Sequence, residues 1–119
     1  MNRFRREPEA EFELRVDAIG GVLGLTVRGS LVAADGQLHA CFEQAVRGGR
    51  PVVLDLSEAT ELDADGVKTL MDGHRLLATR LRVVVERGGP VHEAIRREGV
   101  SHVLALHGSR AEALAASGG

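Results

Sequence analysis

Hydrophobic residues occupy alternate positions in two stretches near the start of the chain, residues 12–16 and 23–27. Charged residues lie between them in the first stretch, and Gly and Thr in the second. A period of two residues is typical of a strand with one buried face and one face in water. Gly20 and Gly21 lie between the two stretches and are suited to a tight turn. The pattern therefore predicts an antiparallel hairpin at the edge of a sheet.

The hydrophobic period changes to that of a helix after Asp35 and again after Asp63. In both regions apolar residues recur three and four positions apart, which places them on one side of a helix. The first helix is expected to end at Gly48-Gly49. The residues expected to be buried in the second helix are Val67, Leu70, Met71 and Leu77. The residues expected to face solvent or a partner are Lys68, Asp72 and Arg75.

Continuous apolar runs are typical of strands that are covered on both faces. Val52–Leu56 and Leu81–Val85 are such runs, and Val103–Leu106 predicts a last short strand. A helix is expected between the latter two, beginning at Pro90 and ended by Gly99.

The final helix is predicted from Ser109 and Glu112, which have the spacing of a capping box, with Leu114 facing inward. The element order is strand, strand, helix, strand, helix, strand, helix, strand, helix. Because parallel neighbours need helical crossovers, this order predicts an α/β fold. We expect a mostly parallel sheet of four or five strands, an antiparallel N-terminal edge hairpin and about four helices. The 119 residues suit a single domain, expected at residues 11–117 after a flexible lead-in at residues 1–10.

Composition limits the classes of function. The net charge is −2, Trp and Tyr are absent, and Phe occurs three times. A nucleic-acid-binding protein needs basic surface and aromatic side chains for stacking, so nucleic acid is not an expected partner. The longest apolar stretch, Ala18–Leu25, is far shorter than the ~20 residues that span a bilayer, so membrane insertion is not expected either.

The cysteine content and the N-terminal residues indicate the cellular compartment in which the protein is expected. Cys41 is the only cysteine, which excludes an intrachain disulfide and a Cys-x-x-Cys pair. The segment after Arg3, Arg5 and Arg6 is acidic, whereas a secretory signal would be apolar there. We therefore expect a cytoplasmic protein.

The motifs of common enzymes are missing from the chain. It contains no Gly-x-Gly-x-x-Gly, no P-loop, no Gly-x-Ser-x-Gly and no His-Glu-x-x-His. Of the five histidines, only His102 and His107 approach a metal-ligand spacing, and they flank a predicted strand. We expect no catalysis, no cofactor and no bound metal.

The candidate functional segment runs from the end of the strand Val52–Leu56, through a short loop, to the start of the second helix. In α/β sheets, ligands and partners collect at the carboxyl ends of strands, beside helix N-termini. Asp63 and Asp65 lie at this helix start, where the helix dipole favours negative charge. Two interpretations are open: the aspartates are helix caps, or they form a functional anionic spot.

Val53–Ser57 followed by Leu62–Val67 resembles the signature of the STAS family, the domain of sulfate transporters and anti-sigma factor antagonists. Leu25–Leu31 and Leu81–Val85 are similar to further strands of that family. The resemblance covers about residues 12–116. It implies a four- or five-stranded sheet with helices on its face and a regulatory function that acts through protein partners.

In the antagonists of that family the helix begins with Asp-Ser-Ser/Thr-Gly, and the Ser or Thr before Gly is phosphorylated by an anti-sigma kinase. The resemblance places Asp63, Ala64, Asp65 and Gly66 on this motif, so Asp65 occupies the phosphoacceptor position without a hydroxyl group. Its permanent charge of about −1 compares with about −1.5 to −2 for phosphoserine. Either Asp65 is a fixed imitation of the phosphorylated state, or it only begins the helix.

The resemblance implies a non-catalytic interaction domain of a bacterial regulatory system. Its expected partner is an anti-sigma factor or kinase, or another STAS-containing regulator, and a homodimer is compatible with it. The other hydroxyls nearby, on Ser57, Thr60 and Thr69, lie outside the acceptor position. Two alternatives are a STAS subunit that regulates a lipid-transport ATPase and a response-regulator receiver. The expected partner-binding residues are Asp63, Ala64, Asp65, Gly66, Lys68, Asp72 and Arg75.

Overall fold

A computed structural model describes residues 12–31 and 36–118 of the chain. The lead-in expected at residues 1–10 and the helix start expected at Asp35 lie outside this part. The described residues form five strands, four α-helices and one 3-10 turn, Ala78–Arg80. In chain order, the bounds are β1 (Phe12–Ile19), β2 (Val22–Leu31), α1 (Gly36–Gly48), β3 (Val52–Leu62), α2 (Ala64–Leu77), β4 (Leu81–Val84), α3 (Pro90–Arg97), β5 (Ala105–His107) and α4 (Arg110–Gly118).

The five strands form one sheet in the order β1-β2-β3-β4-β5. β1 pairs with β2 in the antiparallel sense, with Leu14 opposite Val27. The remaining pairs are parallel, with Leu54 opposite both Leu25 of β2 and Val83 of β4. The predicted fold class, a mostly parallel sheet with an antiparallel edge hairpin and four helices, is confirmed.

The helices cover the sheet on both faces. Successive strand residues point to opposite faces, so Leu54 and Val83 belong to one face and Val53 and Val84 to the other. Helices α1, α2 and α3 pack on the first face, and α4 packs on the second through Ala113. The fully buried helix residues of the first layer include Leu38, Phe42, Leu70 and Ile95.

Strand β3 is longer than expected. The prediction ended this strand at Leu56 and placed a loop after it, but β3 continues to Leu62. The added residues pair with β2, from Glu58 opposite Arg28 to Leu62 opposite Leu31. Most of them are exposed and polar, so no apolar run reveals this part of the strand. Pairing with β2, a contact between distant parts of the chain, makes it a strand.

Two further expectations near the C-terminus are corrected. The last strand begins at Ala105, whereas it was expected at Val103, which is exposed in the preceding turn. In α4 the fully buried residue is Ala113, and Leu114 is only half-buried. Pairing with β4 decides which residues form β5, and the position of α4 against the sheet decides which side of the helix is buried.

Candidate partner-binding site

Asp63 caps helix α2. Its backbone is extended (φ −99°, ψ −176°), and its Oδ1 accepts a hydrogen bond from the backbone N–H of Gly66 at 2.8 Å. The Asp63 carbonyl accepts the N–H of Val67 at 2.9 Å. These are the contacts of an N-cap residue, so the cap interpretation holds for Asp63.

Asp65 lies in the first turn of α2 and has a different role. Its side chain is exposed and makes no hydrogen bond or ion pair with any residue that the structure describes. Only its backbone carbonyl is engaged, by the Thr69 hydroxyl at 3.2 Å. The Asp65 carboxylate is thus available to solvent or to a partner, in the positive field of the helix N-terminus.

Gly66 brings the start of α2 close to the sheet. A Cβ atom at this position would collide with the Leu31 carbonyl oxygen and with the Leu62 side chain. Both neighbours lie at the ends of their strands, so Gly66 sets how closely the helix approaches the carboxyl edge of β2 and β3. The glycine therefore has a packing role.

The remaining predicted site residues form a strip along α2. Asp65, Lys68, Asp72 and Arg75 are three or four positions apart, which places them on one side of the helix. Lys68 and Arg75 are exposed, Asp72 is half-buried, and Asp72 forms an ion pair with Arg75. Lys68 makes no ion pair within the part of the chain that the structure describes. Ala64 is exposed beside the strip.

The three nearby hydroxyl groups differ in their surroundings. Thr69 is buried and donates to the Asp65 carbonyl. The Ser57 hydroxyl donates to Asp55 Oδ1 at 2.6 Å. Thr60 is exposed, and its hydroxyl bonds to no residue among those described. Only the Thr60 hydroxyl is both accessible and unengaged.

A cleft beside this strip has no counterpart in the sequence prediction. Ala59 lies opposite Gly29 and Glu61 lies opposite Ser30, so Thr60 is an extra residue in β3 and forms a β-bulge. The cleft lies between this bulge and α3 and has a volume of about 210 Å³. It is lined by Thr60, Glu61, Leu62, Asp63, Pro90 and Arg97. The sequence carries no signal for Arg97, because the cleft depends on the longer β3 and on the position of α3.

The histidine and cysteine candidates have different surroundings. No group of three or more His, Cys, Asp and Glu side chains in residues 12–31 and 36–118 is placed to hold a metal ion. The His107 Nδ1 instead lies 3.4 Å from Glu112 Oε1. Cys41 packs beside the core, and burial raises the pKa of its thiol. No helix in the described ranges is long and apolar enough to cross a membrane.

Comparison with known proteins relates this architecture to one class. No protein-family model and no curated protein matches the chain. An anti-sigma factor antagonist from Mycobacterium paratuberculosis superposes with a TM-score of 0.82 at 23% identity, covering 95% of this chain and 98% of the other. The protein TM1081 of Thermotoga maritima gives 0.71 at 12% identity, covering 97% and 96%.

The unphosphorylated anti-sigma factor antagonist SpoIIAA gives a TM-score of 0.60 at 18% identity, covering 86% of this chain and 92% of that one. The chain therefore has the fold of the anti-sigma factor antagonists, the SpoIIAA-like or STAS fold. The resemblance seen in the sequence is confirmed at the level of the fold.

Proposed function

We propose that this protein is a non-catalytic interaction domain of a bacterial regulatory system, similar to an anti-sigma factor antagonist, and acts in the cytoplasm. Its partner is an anti-sigma factor or kinase, or another STAS-containing regulator. The partner binds the start and exposed side of α2, which comprise Asp63, Ala64, Asp65, Gly66, Lys68, Asp72 and Arg75.

One observation carries this proposal: on an antagonist fold, the start of α2 presents charged groups that the fold itself does not use. Asp63 is committed to the helix cap, whereas Asp65 and Lys68 make no side-chain bond to any residue in the described ranges. Charged groups that are unused at the carboxyl edge of a sheet are available to raise or lower the affinity for a protein partner.

Asp65 is proposed to supply a permanent negative charge at the position where antagonists carry a phosphorylatable hydroxyl. Because Asp63 already caps the helix, the Asp65 carboxylate is not needed for that task. Its field resembles that of a phosphorylated residue in sign and is smaller in magnitude. The domain would then remain in one signalling state.

The two alternatives differ in their support. A receiver has the flavodoxin-like strand order 2-1-3-4-5, whereas this sheet has the order 1-2-3-4-5 with an antiparallel first pair. The sheet order therefore does not favour a receiver. A STAS subunit of a lipid-transport complex would have this same fold and differ in its partner, so binding experiments separate it from the antagonist.

The test is a calorimetric titration of the purified chain against the anti-sigma factors, kinases and STAS-containing regulators of its own organism. A parallel titration uses the ATPase subunit of its lipid-transport complex, and binding to that subunit would support the alternative. We expect micromolar or tighter binding to one anti-sigma factor, and we expect Lys68→Glu to lower this affinity roughly tenfold. The matched control is Arg47→Glu at the C-terminal end of α1, which is exposed and lies outside the strip. Binding to no anti-sigma factor, kinase or STAS-containing regulator, or equal effects of the two charge reversals, would refute the proposal.

A further inference from the structure

The cleft between β3 and α3 adjoins the proposed partner-binding site, because Asp63 belongs to both. Its wall on the sheet side is the bulge at Thr60, and its other wall is α3, from Pro90 at the first turn to Arg97 at the last. A β-bulge redirects the side chain of the extra residue, and here it leaves Thr60 out of the ladder with β2.

The carboxylates of the cleft already have donors within the chain. Glu61 Oε1 accepts the hydroxyl of Ser30 at 3.0 Å, and Asp63 Oδ1 accepts the N–H of Gly66 at 2.8 Å. Both acidic groups are thereby tied to the end of the sheet and to the helix start. They are not paired with the guanidinium of Arg97, which lines the same cleft.

The donors of the cleft are unused. Arg97 is exposed and makes no ion pair or side-chain hydrogen bond with a residue in the described ranges. Its neighbour Arg96, by contrast, contacts Glu93 at 3.5 Å. The Thr60 hydroxyl is also without a partner among these residues. A guanidinium offers a planar set of donors that matches a carboxylate, and Arg is enriched among the residues that dominate interface energies.

We propose that Arg97, with Thr60 beside it, anchors an acidic side chain of the protein partner, so that the docking surface extends from α2 across the β3 bulge to α3. This inference rests on the proposed function and adds the chemistry of the partner. Glu61 and Asp63 repel an isolated anion at the cleft. The complementary partner therefore presents a carboxylate to Arg97 and a basic group next to it, facing Glu61 and Asp63, the two carboxylates that line the cleft.

The experiment compares Arg97→Glu with Arg96→Glu in titrations of the full chain against the anti-sigma factor that binds the unaltered chain. Both variants reverse one exposed charge in the last turn of α3. Arg96→Glu also removes the contact with Glu93, so the control is the larger disturbance to the helix itself. We expect Arg97→Glu to lower the affinity roughly tenfold or more and Arg96→Glu to lower it less than about threefold. Reversing the partner's acidic residue to Lys should restore binding to Arg97→Glu.

The outcomes separate the two proposals. If Lys68→Glu weakens binding while Arg97→Glu and Arg96→Glu behave alike, the α2 strip stands and the anchor is refuted. If Arg97→Glu weakens binding but no acidic residue of the partner rescues it, the assigned chemistry is wrong. If the unaltered chain binds no anti-sigma factor, kinase or STAS-containing regulator, the proposed function fails and the anchor fails with it. Circular dichroism melting of each variant verifies that the fold is intact.

Discussion

Asp63 accepts a hydrogen bond from the backbone of Gly66 at 2.8 Å, and this bond closes the first turn of helix α2. Two residues after Asp63, the carboxylate of Asp65 bonds to no residue that the structure describes. The two aspartates therefore have separate tasks, since one stabilises the helix and the other keeps its charge available.

Replacing Asp63 should cost stability, and replacing Asp65 should not. Asp63→Ala is expected to lower the free energy of unfolding by about 1 kcal/mol, because an N–H of the first turn loses its acceptor. Asp63→Ser should retain most of the stability. For Asp65→Ala, loss of the favourable dipole interaction is offset by the higher helix propensity of Ala. Urea unfolding measures all three, and equal losses in Asp63→Ala and Asp65→Ala would contradict the division of tasks.

Substitution at Asp65 should change binding instead. Asp65→Ser is expected to strengthen binding to a partner that releases phosphorylated antagonists, by several-fold to roughly tenfold, because a negative charge leaves the contact surface. A partner kinase should label Asp65→Ser with radioactive phosphate and should not label residues 63–66 of the unaltered chain. Asp65→Ala should gain affinity without becoming a substrate. If the unaltered chain, Asp65→Ser and Asp65→Ala bind with equal affinity, Asp65 has only a structural role at the helix start.

Gly73 of α2 lies against the ring of Phe42 in α1. A Cβ at Gly73 would lie 2.6 Å from the Phe42 ring, so Gly73→Ala should destabilise the protein by about 1–3 kcal/mol. At Gly48 the nearest atoms, from Arg50, are 3.5 Å away, and Gly48→Ala should stabilise by about 0.5–1 kcal/mol. Denaturant unfolding tests whether the two substitutions change the free energy of unfolding in opposite directions. If Gly73→Ala is also stabilising, the helices do not meet as described.

Ala78 ends α2 in a conformation that suits glycine. It has φ 54° and ψ −127°, a sparsely populated region for a residue with a Cβ, at a cost of order 1–3 kcal/mol. Ala78→Gly should raise the free energy of unfolding by about 0.5–1 kcal/mol, since the greater freedom of the unfolded chain offsets part of the relief. Ala40→Gly, on the exposed side of α1, should lower it by about 1 kcal/mol. Thermal melts compare the two variants. A destabilising effect of Ala78→Gly would argue against backbone strain at Ala78.

The thiol of Cys41 should be slow to react. Burial raises its pKa above the ordinary value of 9.0, so less thiolate is present at pH 8 than in an unfolded chain. Iodoacetamide should label the folded protein more slowly than the protein in guanidinium chloride. Because the folded state holds this proton more firmly, its contribution to stability is present below pH 9.0 and is lost as pH rises through the raised pKa. Cys41→Ser should not show this loss of stability with rising pH. Rapid labelling of the native protein would contradict the burial of the Cys41 thiol.

The local pattern of the sequence determines much of this fold. Alternation in residues 12–16 and 23–27 predicts the edge hairpin, and apolar residues three and four apart predict α1 and α2. These signals are available because side-chain periodicity within one element depends on neighbouring residues. The motif at residues 63–66 likewise places a helix start at the edge of the sheet. It does not decide between Asp63 and Asp65 as the cap, since that depends on the backbone angles of the first turn.

Tertiary structure decides the end of β3 and the cleft. Residues 58–62 are mostly exposed and polar, and they form a strand because they pair with β2, about thirty residues earlier in the chain. The bulge at Thr60 depends on the register of that pairing. Arg97 reaches the same cleft because α3 packs against β3. The local composition around Thr60 or Arg97 does not predict that the two residues line one cleft. Register and helix packing are set by contacts between residues far apart in the chain.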